Sequence, residues 1–409
     1  MKILHVIPSV AEVRGGTSKA LLDMVNALQA KGLDVTIATT NDNGPTLLAV
    51  PLGQCIQYEG VPVYFFERFS PSVGSVREFA FSGQLTRWLW HHMADYELVH
   101  VHALFSYAST MAMAIARLKR IPYVVTPHGL LCEWSMQQSK RKKRFYLNLI
   151  ERINLNHARA LHFTAQQEAQ EAKHLQLTAP DFVLPLGLAI PELIPHARQR
   201  LRQTLGVSQD EPVILFMSRL HPKKGLDYLI PALGQLGERR FTFVIAGNGS
   251  PAYEQEVQTL LAKAGLEAKT RCVGFVRGEQ KNLLLQGADL LALTSHSENF
   301  GIVILEALAS GTPVLLTPGV PLSTMVAENS LGYVVALDVA SIKTTLRNIF
   351  DHDKEVASIG PRARQFIIEH YSWQRIATKL IQVYDAILQQ GSTTETFPMG
   401  EFGESVKVL

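Results

Sequence analysis

Four basic side chains lie close together in residues 218–225, directly after the apolar run 213–218. They are Arg219, His221, Lys223 and Lys224. An apolar run followed by helical spacing indicates a strand, a loop and a helix. The N-terminal end of a helix is positive and normally attracts acidic residues, so unpaired cations at this helix start favour an external anion. A diphosphate meets that requirement, and a solvated basic loop is the alternative.

A second segment, residues 297–306, combines two glutamates with the start of an apolar helix and follows the predicted strand 290–294. The first backbone N–H groups of a helix lack intrahelical partners and could bind sugar hydroxyls or phosphate oxygens. These groups belong to Phe300, Gly301 and Ile302. Glu298 could accept hydrogen bonds from a sugar, and Glu306 from a ribose diol. Glu306 lies among apolar residues and needs a partner; a locally paired structural glutamate is the alternative.

Two shorter motifs occur in the first half of the chain. Gly15 and Gly16 stand between a predicted strand and helix, where glycine lets the backbone approach a phosphate closely. A plain turn is equally compatible with this pair. His128 follows the predicted strand 123–126. A lone histidine is commonly a structural residue, so its role depends on the other motifs.

Apolar strand-like runs alternate with helical patterns along the chain, which predicts two α/β domains with parallel sheets. The predicted strands cover residues 2–7, 34–39, 62–66, 98–101, 123–126, 160–164 and 182–184, and then 213–218, 241–246, 271–275, 290–294 and 313–316. Three prolines and one glycine in residues 185–195 indicate a stiff linker. We therefore predict domains at 1–190 and 196–371, a closing helix at 372–389, and a mobile polar tail at 391–409. Ligands of such sheets bind at the carboxyl ends of the strands.

The amino-acid composition and net charge argue against several classes of protein. The 409 residues carry a net charge of +3, which is mild for a general nucleic-acid binder, so no nucleic-acid partner is expected. The three cysteines, Cys55, Cys132 and Cys272, form neither a zinc pattern nor an even disulfide set. The initial apolar run is too short for a signal peptide, and no run is long enough to span a bilayer. We expect a cytoplasmic protein that could bind peripherally to the inner face of the membrane.

Taken together, these segments resemble the retaining glycosyltransferases of family 4. That family has the GT-B fold, in which two Rossmann-like domains face each other across a cleft and a C-terminal helix crosses back to the first domain. The likeness extends from the glycine pair to residues 373–388. It implies that Arg219 and Lys224 hold the donor diphosphate, with Gly15 and Gly16 contributing from the other domain. It makes His128, Glu298, Arg219 and Lys224 the catalytic residues.

The same resemblance implies the remaining contacts of the donor. Glu298, with the backbone around residue 300, would hold the transferred sugar, Glu306 would hold the ribose, and the base would lie near residues 273–276 and 247–249. The implied substrate-binding positions in the second domain are Arg219, Lys224, Asn248, Phe275, Val276, Glu298, Asn299, Phe300, Gly301, Ile302 and Glu306. The donor is expected to be UDP-glucose. A nucleotide-sugar epimerase of the same fold and a non-catalytic nucleotide-sugar sensor are the alternatives.

Two further segments concern metals and the acceptor. Asp351 and Asp353 match a metal-binding pair by residue type, but they stand between two predicted helices, so a turn with capping aspartates is favoured. We expect no metal and no other cofactor. The basic run Lys140, Arg141, Lys142, Lys143 and Arg144 opens an amphipathic helix, which favours an anionic membrane surface. A solvated helix start is the alternative; the family's bacterial members suggest a glycan or lipid-linked glycan acceptor.

Overall fold

Strands and helices alternate along the chain and form two α/β units. The computed structural model describes residues 1–72 and 74–389, without the side chains of residues 75, 76 and 353–357. The first unit comprises Met1–Gly187 and the C-terminal helix, and the second comprises Leu188–Ser372. The predicted polar tail at 391–409 lies outside the described residues.

The first unit is built on an eight-stranded sheet. Its strands are β1 Lys2–Val6, β2 Asp34–Thr40, β5 Cys55–Tyr58, β6 Val61–Phe66, β7 Leu98–His102, β8 Tyr123–Thr126, β9 Ala160–Phe163 and β10 Asp181–Val183, and the short pair β3 Asp42–Asn43 and β4 Thr46–Leu47 forms a separate hairpin. The order across the sheet is β10-β9-β8-β7-β1-β2-β6-β5. Neighbouring strands are parallel except β5, which runs antiparallel to β6. The central strands are buried on both faces, which is why they appear in the sequence as continuous apolar runs.

Helices follow most strands of the first unit. They are α1 Gly16–Ala30, α2 Gly74–Glu78, α3 Gly83–His92, α4 Tyr107–Lys119, α5 Glu133–Gln137, α6 Lys140–Tyr146, α7 Arg152–Asn156 and α8 Gln166–Ala172. A π-helical turn, Leu147–Glu151, joins α6 to α7. Helix α4 is capped by Ser106, whose hydroxyl accepts from the N–H of Ser109. These helices cover the sheet and bury its apolar faces.

The second unit repeats this design with six parallel strands. The strands are β11 Val213–Met217, β12 Thr242–Ala246, β13 Thr270–Gly274, β14 Leu290–Leu293, β15 Val314–Leu316 and β16 Gly332–Val334, in the order β13-β12-β11-β14-β15-β16. The helices are α9 Ala197–Leu205, α10 Leu226–Gly234, α11 Pro251–Lys263, α12 Gly278–Gly287, α13 Ile302–Ala309, α14 Ser323–Glu328, α15 Val339–Asp351 and α16 Asp353–Tyr371. The order reverses at β11 and β14, a place where open α/β sheets bind ligands.

The last helix, α17 Trp373–Gln389, belongs to the first unit. The hydroxyl of Tyr384 lies 2.6 Å from Nδ1 of His100 in the buried centre of β7. At the start of α17, a Cβ on Gly187 would lie 2.5 Å from the ring of Trp373, so glycine permits this close approach. No helix among the described residues is long and apolar enough to cross a bilayer.

Candidate functional site

The basic loop after β11 is folded tightly against the end of β14. Residues Pro222–Lys224 form a 3-10 turn, and Gly225 then adopts a left-handed backbone with φ of 67°. A Cβ on Gly225 would lie 1.9 Å from the carbonyl oxygen of Thr294, so only glycine fits. The Thr294 hydroxyl also donates to the Gly225 carbonyl at 3.0 Å. The His296 N–H donates to the Lys223 carbonyl at 2.9 Å, so the two segments, far apart in sequence, are also joined through their backbones.

The loop after β12 also packs against the basic loop. The Leu220 N–H donates to the Asn248 carbonyl at 2.9 Å. A Cβ on Gly247 would lie 2.0 Å from the Ser218 carbonyl oxygen, and the Gly247 N–H donates to the Gly274 carbonyl at 2.7 Å. The carboxyl ends of β11, β12, β13 and β14 therefore meet in one contiguous site within the second unit.

Lys224 and Glu298 form an ion pair at the centre of this site. The Nζ of Lys224 lies 2.5 Å from Oε1 of Glu298, and both side chains are largely buried. The Ser295 hydroxyl donates to the same oxygen at 2.7 Å, and the Glu298 N–H donates to the Gly319 carbonyl at 2.9 Å. The prediction of unpaired cations is therefore wrong for Lys224, because the fold brings a carboxylate from 74 positions away. An anion that binds here must compete with Glu298 for the ammonium.

Arg219 differs from Lys224. Its side chain is exposed and makes no hydrogen bond or ion pair with any residue in 1–72 or 74–389. Partial burial and the charges of Arg219, Lys224 and Lys223 lower the pKa of His221. His221 Nδ1 accepts from the Lys223 N–H at 3.1 Å. Because His221 is neutral, its Nδ1 can accept this hydrogen bond and stabilise the turn. The guanidinium of Arg219 remains available to bind an anion.

Glu306 has the partner that its apolar surroundings require. Its Oε1 lies 2.5 Å from Nζ of Lys281 on α12, and the two side chains are 18% and 31% exposed. The sequence analysis missed Lys281, because nothing local indicates which cation α12 presents to α13. The partly buried carboxylate keeps a second oxygen that could accept from a diol.

The start of α13 offers free backbone donors. Gly301 caps the helix with φ of 86°, and the side chain of Phe300 is buried. Across the described ranges, the N–H groups of Phe300 and Gly301 have no acceptor. Asn299 is exposed beside them, and Ile302 is the first helical residue. Donors of this kind suit oxygen atoms of a ligand.

The predicted base-binding segment also lies at this edge. Phe275 follows β13 and is 58% exposed, whereas Val276 is buried. Asn248 is exposed, and its Oδ1 lies 3.4 Å from the position that a Cβ on Gly274 would take. An exposed aromatic ring beside an amide offers a stacking face and a hydrogen-bonding group for a heterocycle.

In the first unit, the glycine pair precedes α1. Gly15 caps that helix with φ of 83°, and Gly16 is its first residue. The preceding Arg14 donates to Asp42 at 2.6 Å and to Glu78 at 2.7 Å. These bonds fix the loop and occupy the arginine. The Gly15 N–H already donates to the Glu12 carbonyl at 2.9 Å, so Gly16 is the glycine whose N–H lies at the positive end of α1.

His128 lies directly after β8, as predicted, but it is not isolated. Its ring is buried, and burial lowers its pKa to about 3. Its Nε2 lies 3.1 Å from Nδ1 of His102, and His102 Nε2 lies 2.9 Å from Nδ1 of His5. The sequence analysis missed this cluster, although His100 and His102 alternate along β7 and must face the same side.

The paired aspartates lie between two helices, as predicted. Helix α15 ends at Asp351, and α16 begins at Asp353. The Asp351 carboxylate accepts from Arg239 at 2.7 Å on the exposed surface. This location is a helix-joining turn.

Comparisons with known proteins agree with this architecture. Residues 15–187 match the family model described as "Glycosyl transferase 4-like domain", and residues 197–366 match "Glycosyl transferases group 1". The D-inositol 3-phosphate glycosyltransferase of Corynebacterium efficiens is 27% identical over 390 residues, which cover 90% of each chain.

Two solved structures share the fold over nearly the whole chain. Sucrose-phosphate synthase from Thermosynechococcus elongatus has a TM-score of 0.78 at 19% identity and covers 96% of this chain and 100% of its own. Anabaena HepE, in complex with UDP and glucose, has a TM-score of 0.74 at 22% identity and covers 94% and 100%. The two Rossmann-like units are those of GT-B glycosyltransferases. The chain therefore belongs to the group 1 glycosyltransferases with a family 4-like N-terminal domain.

Proposed function

We propose that the protein transfers glucose from UDP-glucose to a glycan or lipid-linked glycan, with retention of anomeric configuration, in the synthesis of a polysaccharide such as an exopolysaccharide. The observation that carries the proposal is the site at the ends of β11–β14. It combines a free guanidinium, an ion-paired ammonium, unpaired helix amides and an exposed aromatic ring. The UDP and glucose bound by HepE support this choice of donor.

The charges of the site suit departure of a nucleoside diphosphate. Cleavage of the anomeric bond places negative charge on the β-phosphate, and preorganised cations and amides stabilise such charge strongly. Arg219 is available for the phosphate without breaking any bond within the described chain. Lys224 would transfer from Glu298 to the phosphate as charge develops, leaving Glu298 free to accept from the sugar.

Retention is best explained by attack on the same face as the leaving group. The Glu298 oxygen nearest to Lys224 also accepts from the Ser295 hydroxyl, a bond that remains when Lys224 moves to the phosphate and that favours a binding role over nucleophilic attack. In same-face attack, the departing phosphate oxygen takes the proton of the acceptor hydroxyl. The new glycosidic bond forms as the bond to the phosphate breaks.

The proposal predicts UDP release from UDP-glucose even without acceptor, and this release should persist in excess chelator. Charge neutralisation is assigned to Arg219 and Lys224, so no divalent cation is needed. A coupled assay for UDP, run with and without chelator, measures the acceptor-independent release and its dependence on metal. An epimerase would instead convert the nucleotide sugar into its epimer, and a sensor would release no UDP. Activity lost in chelator and restored by manganese would contradict the expected metal independence.

His128 and Glu298 are proposed to contact the transferred sugar. His128→Ala and Glu298→Gln should lose most of the turnover, because each removes a polar contact to the reacting ring. UDP should still bind with near-normal affinity, since Glu298→Gln leaves Lys224 free for the diphosphate. Calorimetric titration with UDP beside steady-state turnover makes the comparison. If UDP affinity fell as much as turnover in both variants, both residues would instead contact the diphosphate of the donor.

The helical stretch from α6 to α7 is proposed to dock on an anionic membrane. Four of the five cations in its basic run 140–144 are exposed, whereas Lys143 donates to the Ser135 carbonyl at 2.7 Å and burial lowers its pKa. The same stretch exposes four large apolar side chains, Phe145, Leu149, Ile150 and Ile153. Cations followed by an exposed apolar face are typical of a helix lying in a membrane interface.

Replacing the four exposed cations, Lys140, Arg141, Lys142 and Arg144, with glutamine should release the protein from phosphatidylglycerol vesicles. Each contributes about 1 kcal/mol near such a surface, and salt should weaken binding by screening. Vesicle co-sedimentation measures the effect, and UDP release in solution should not change. Lys143→Gln alone, the matched control, should bind like the unchanged protein. Undiminished binding of the fourfold variant would leave these residues as a solvated helix start.

A further inference from the structure

Five histidines are buried together in the first unit, where they line one side of the sheet near the carboxyl ends of its central strands. They are His5 on β1, His100 and His102 on β7, His128 after β8, and His162 on β9. Burial lowers the pKa of each, so all five are neutral imidazoles near pH 7. A neutral imidazole has one N–H donor and one accepting nitrogen. Hydrogen bonds divide the five rings into two separate chains.

The first chain is complete and has a single proton arrangement. His162 Nε2 lies 2.7 Å from the Leu184 carbonyl, which can only accept, so Nε2 carries the proton. His162 Nδ1 therefore accepts from the Thr126 hydroxyl at 2.9 Å. That hydroxyl accepts in turn from His100 Nε2 at 2.6 Å. His100 Nδ1 is then left to accept from the hydroxyl of Tyr384. Every ring nitrogen has a partner, as expected of a structural network.

The second chain joins His5, His102 and His128 and has two open ends. At the inner end, His5 Nε2 is buried and has no partner. At the outer end, His128 Nδ1 has no partner among the described residues either, but it is not fully buried. Both nitrogens of His102 are used, one toward each neighbour. Nδ1 is therefore the only ring nitrogen of His128 that could form a hydrogen bond with a ligand.

Proton sharing couples the three rings of this chain. One proton lies between His128 Nε2 and His102 Nδ1, and one lies between His102 Nε2 and His5 Nδ1. If His102 carries its proton on Nδ1, the other two rings must do the same; if on Nε2, all must carry it there. Within residues 1–72 and 74–389, no acceptor or donor meets the buried Nε2 of His5 to pass a proton onward. The chain can orient His128, but it cannot relay a proton through the core.

We propose that His102 is a positioning residue for catalysis. Its hydrogen bond occupies Nε2 of His128 and holds that ring so that Nδ1 faces the transferred sugar. This inference rests on the proposed sugar contact of His128. A metal ion is the competing interpretation, because ring nitrogens of His5, His100 and His102 lie within 4.8 Å of one another. Hydrogen bonds already use both nitrogens of His100 and His102, which favours the positioning role.

Two substitutions of His102 separate its two bonds. Asparagine places an amide near the position of Nδ1 and keeps the bond to His128, whereas glutamine reaches the position of Nε2 and keeps only the bond to His5. His102→Asn should retain turnover within about threefold, and His102→Gln should lose about tenfold or more, because a misplaced catalytic group is costly. UDP affinity should not change. The control His162→Gln lies in the other chain and should stay near the unchanged protein.

The effect must pass through His128. In a His128→Ala background, His102→Gln should cause no further loss of turnover, whereas a general packing defect would lower it again. Equal losses in His102→Asn and His102→Gln, or an additive loss in the double variant, would overturn the proposal. Full turnover in His128→Ala alone would instead remove the sugar contact on which the inference rests.

Nitrogen NMR tests the network without any activity. In protein labelled with ¹⁵N-histidine and assigned by single substitutions, His5, His102 and His128 should all carry the proton on the same ring nitrogen. They should remain neutral from pH 7.5 to 6. Different protonated nitrogens among the three rings, or stoichiometric zinc in the purified protein, would contradict the hydrogen-bonded chain.

Discussion

Lys224→Ala and Arg219→Ala are expected to reduce turnover by roughly 10²–10³-fold each, the usual loss when one charge-stabilising group is removed. The two variants should differ in UDP binding. Arg219 has no partner in the described chain, so its loss removes one attraction. Lys224 is paired with Glu298, so its loss also leaves a carboxylate unpaired beside the phosphates. UDP affinity should therefore fall further in Lys224→Ala than in Arg219→Ala.

A double variant checks this explanation. Adding Glu298→Gln to Lys224→Ala removes the unpaired carboxylate and should restore part of the UDP affinity, as measured by calorimetric titration. Lys263→Ala is the matched control, because it removes an exposed cation from the far end of α11. Near-normal turnover in either Arg219→Ala or Lys224→Ala would contradict the assigned role, as would no recovery in the double variant.

Acidification from pH 7.5 to 5 is expected to destabilise the first unit by an amount comparable to its whole stability. Burial lowers the pKa of His5 and His128 to about 3 and that of His162 to about 4, and lowers those of His100 and His102. The unfolded chain binds protons below about pH 6.5, whereas these folded rings stay neutral, so stability is lost as pH falls. Each ring costs about 2 kcal/mol at pH 5. Five approach the roughly 5–15 kcal/mol of a typical fold.

Urea unfolding followed at several pH values measures this effect. No histidine is buried in the described part of the second unit, so its transition should move far less. UDP protection of the second unit at pH 5 would identify which transition belongs to it. An unfolding midpoint of the first unit that is the same at pH 7.5 and pH 5 would contradict the neutral buried cluster.

The sequence predicted the fold because the information is local. Strands buried on both faces of a parallel sheet appear as continuous apolar runs, and each predicted run became a strand within one or two residues. The strands that were missed, β5 and β16, are short and only partly buried, so they show no apolar run. The β3–β4 hairpin has two residues in each strand and gives no periodic signal.

The candidate site was predicted less completely because its contacts are not local. The loops were expected at strand ends, and the structure brings those of the second unit together. The partners of Lys224 and Glu306 depend on which strands and helices are neighbours, which a helix-start pattern cannot specify. The chain from His128 to His5 likewise spans three strands that are neighbours in the sheet but far apart in sequence.

The anomer released from UDP-glucose tests the central claim most directly. In the absence of acceptor, water takes its place, and proton NMR in the first minutes shows which anomer appears before mutarotation mixes the two. The account predicts α-glucose together with an equal amount of UDP, and loss of both signals in Arg219→Ala. Initial release of β-glucose would contradict retention, and no UDP release from UDP-glucose or any other nucleotide sugar would contradict the proposed transferase.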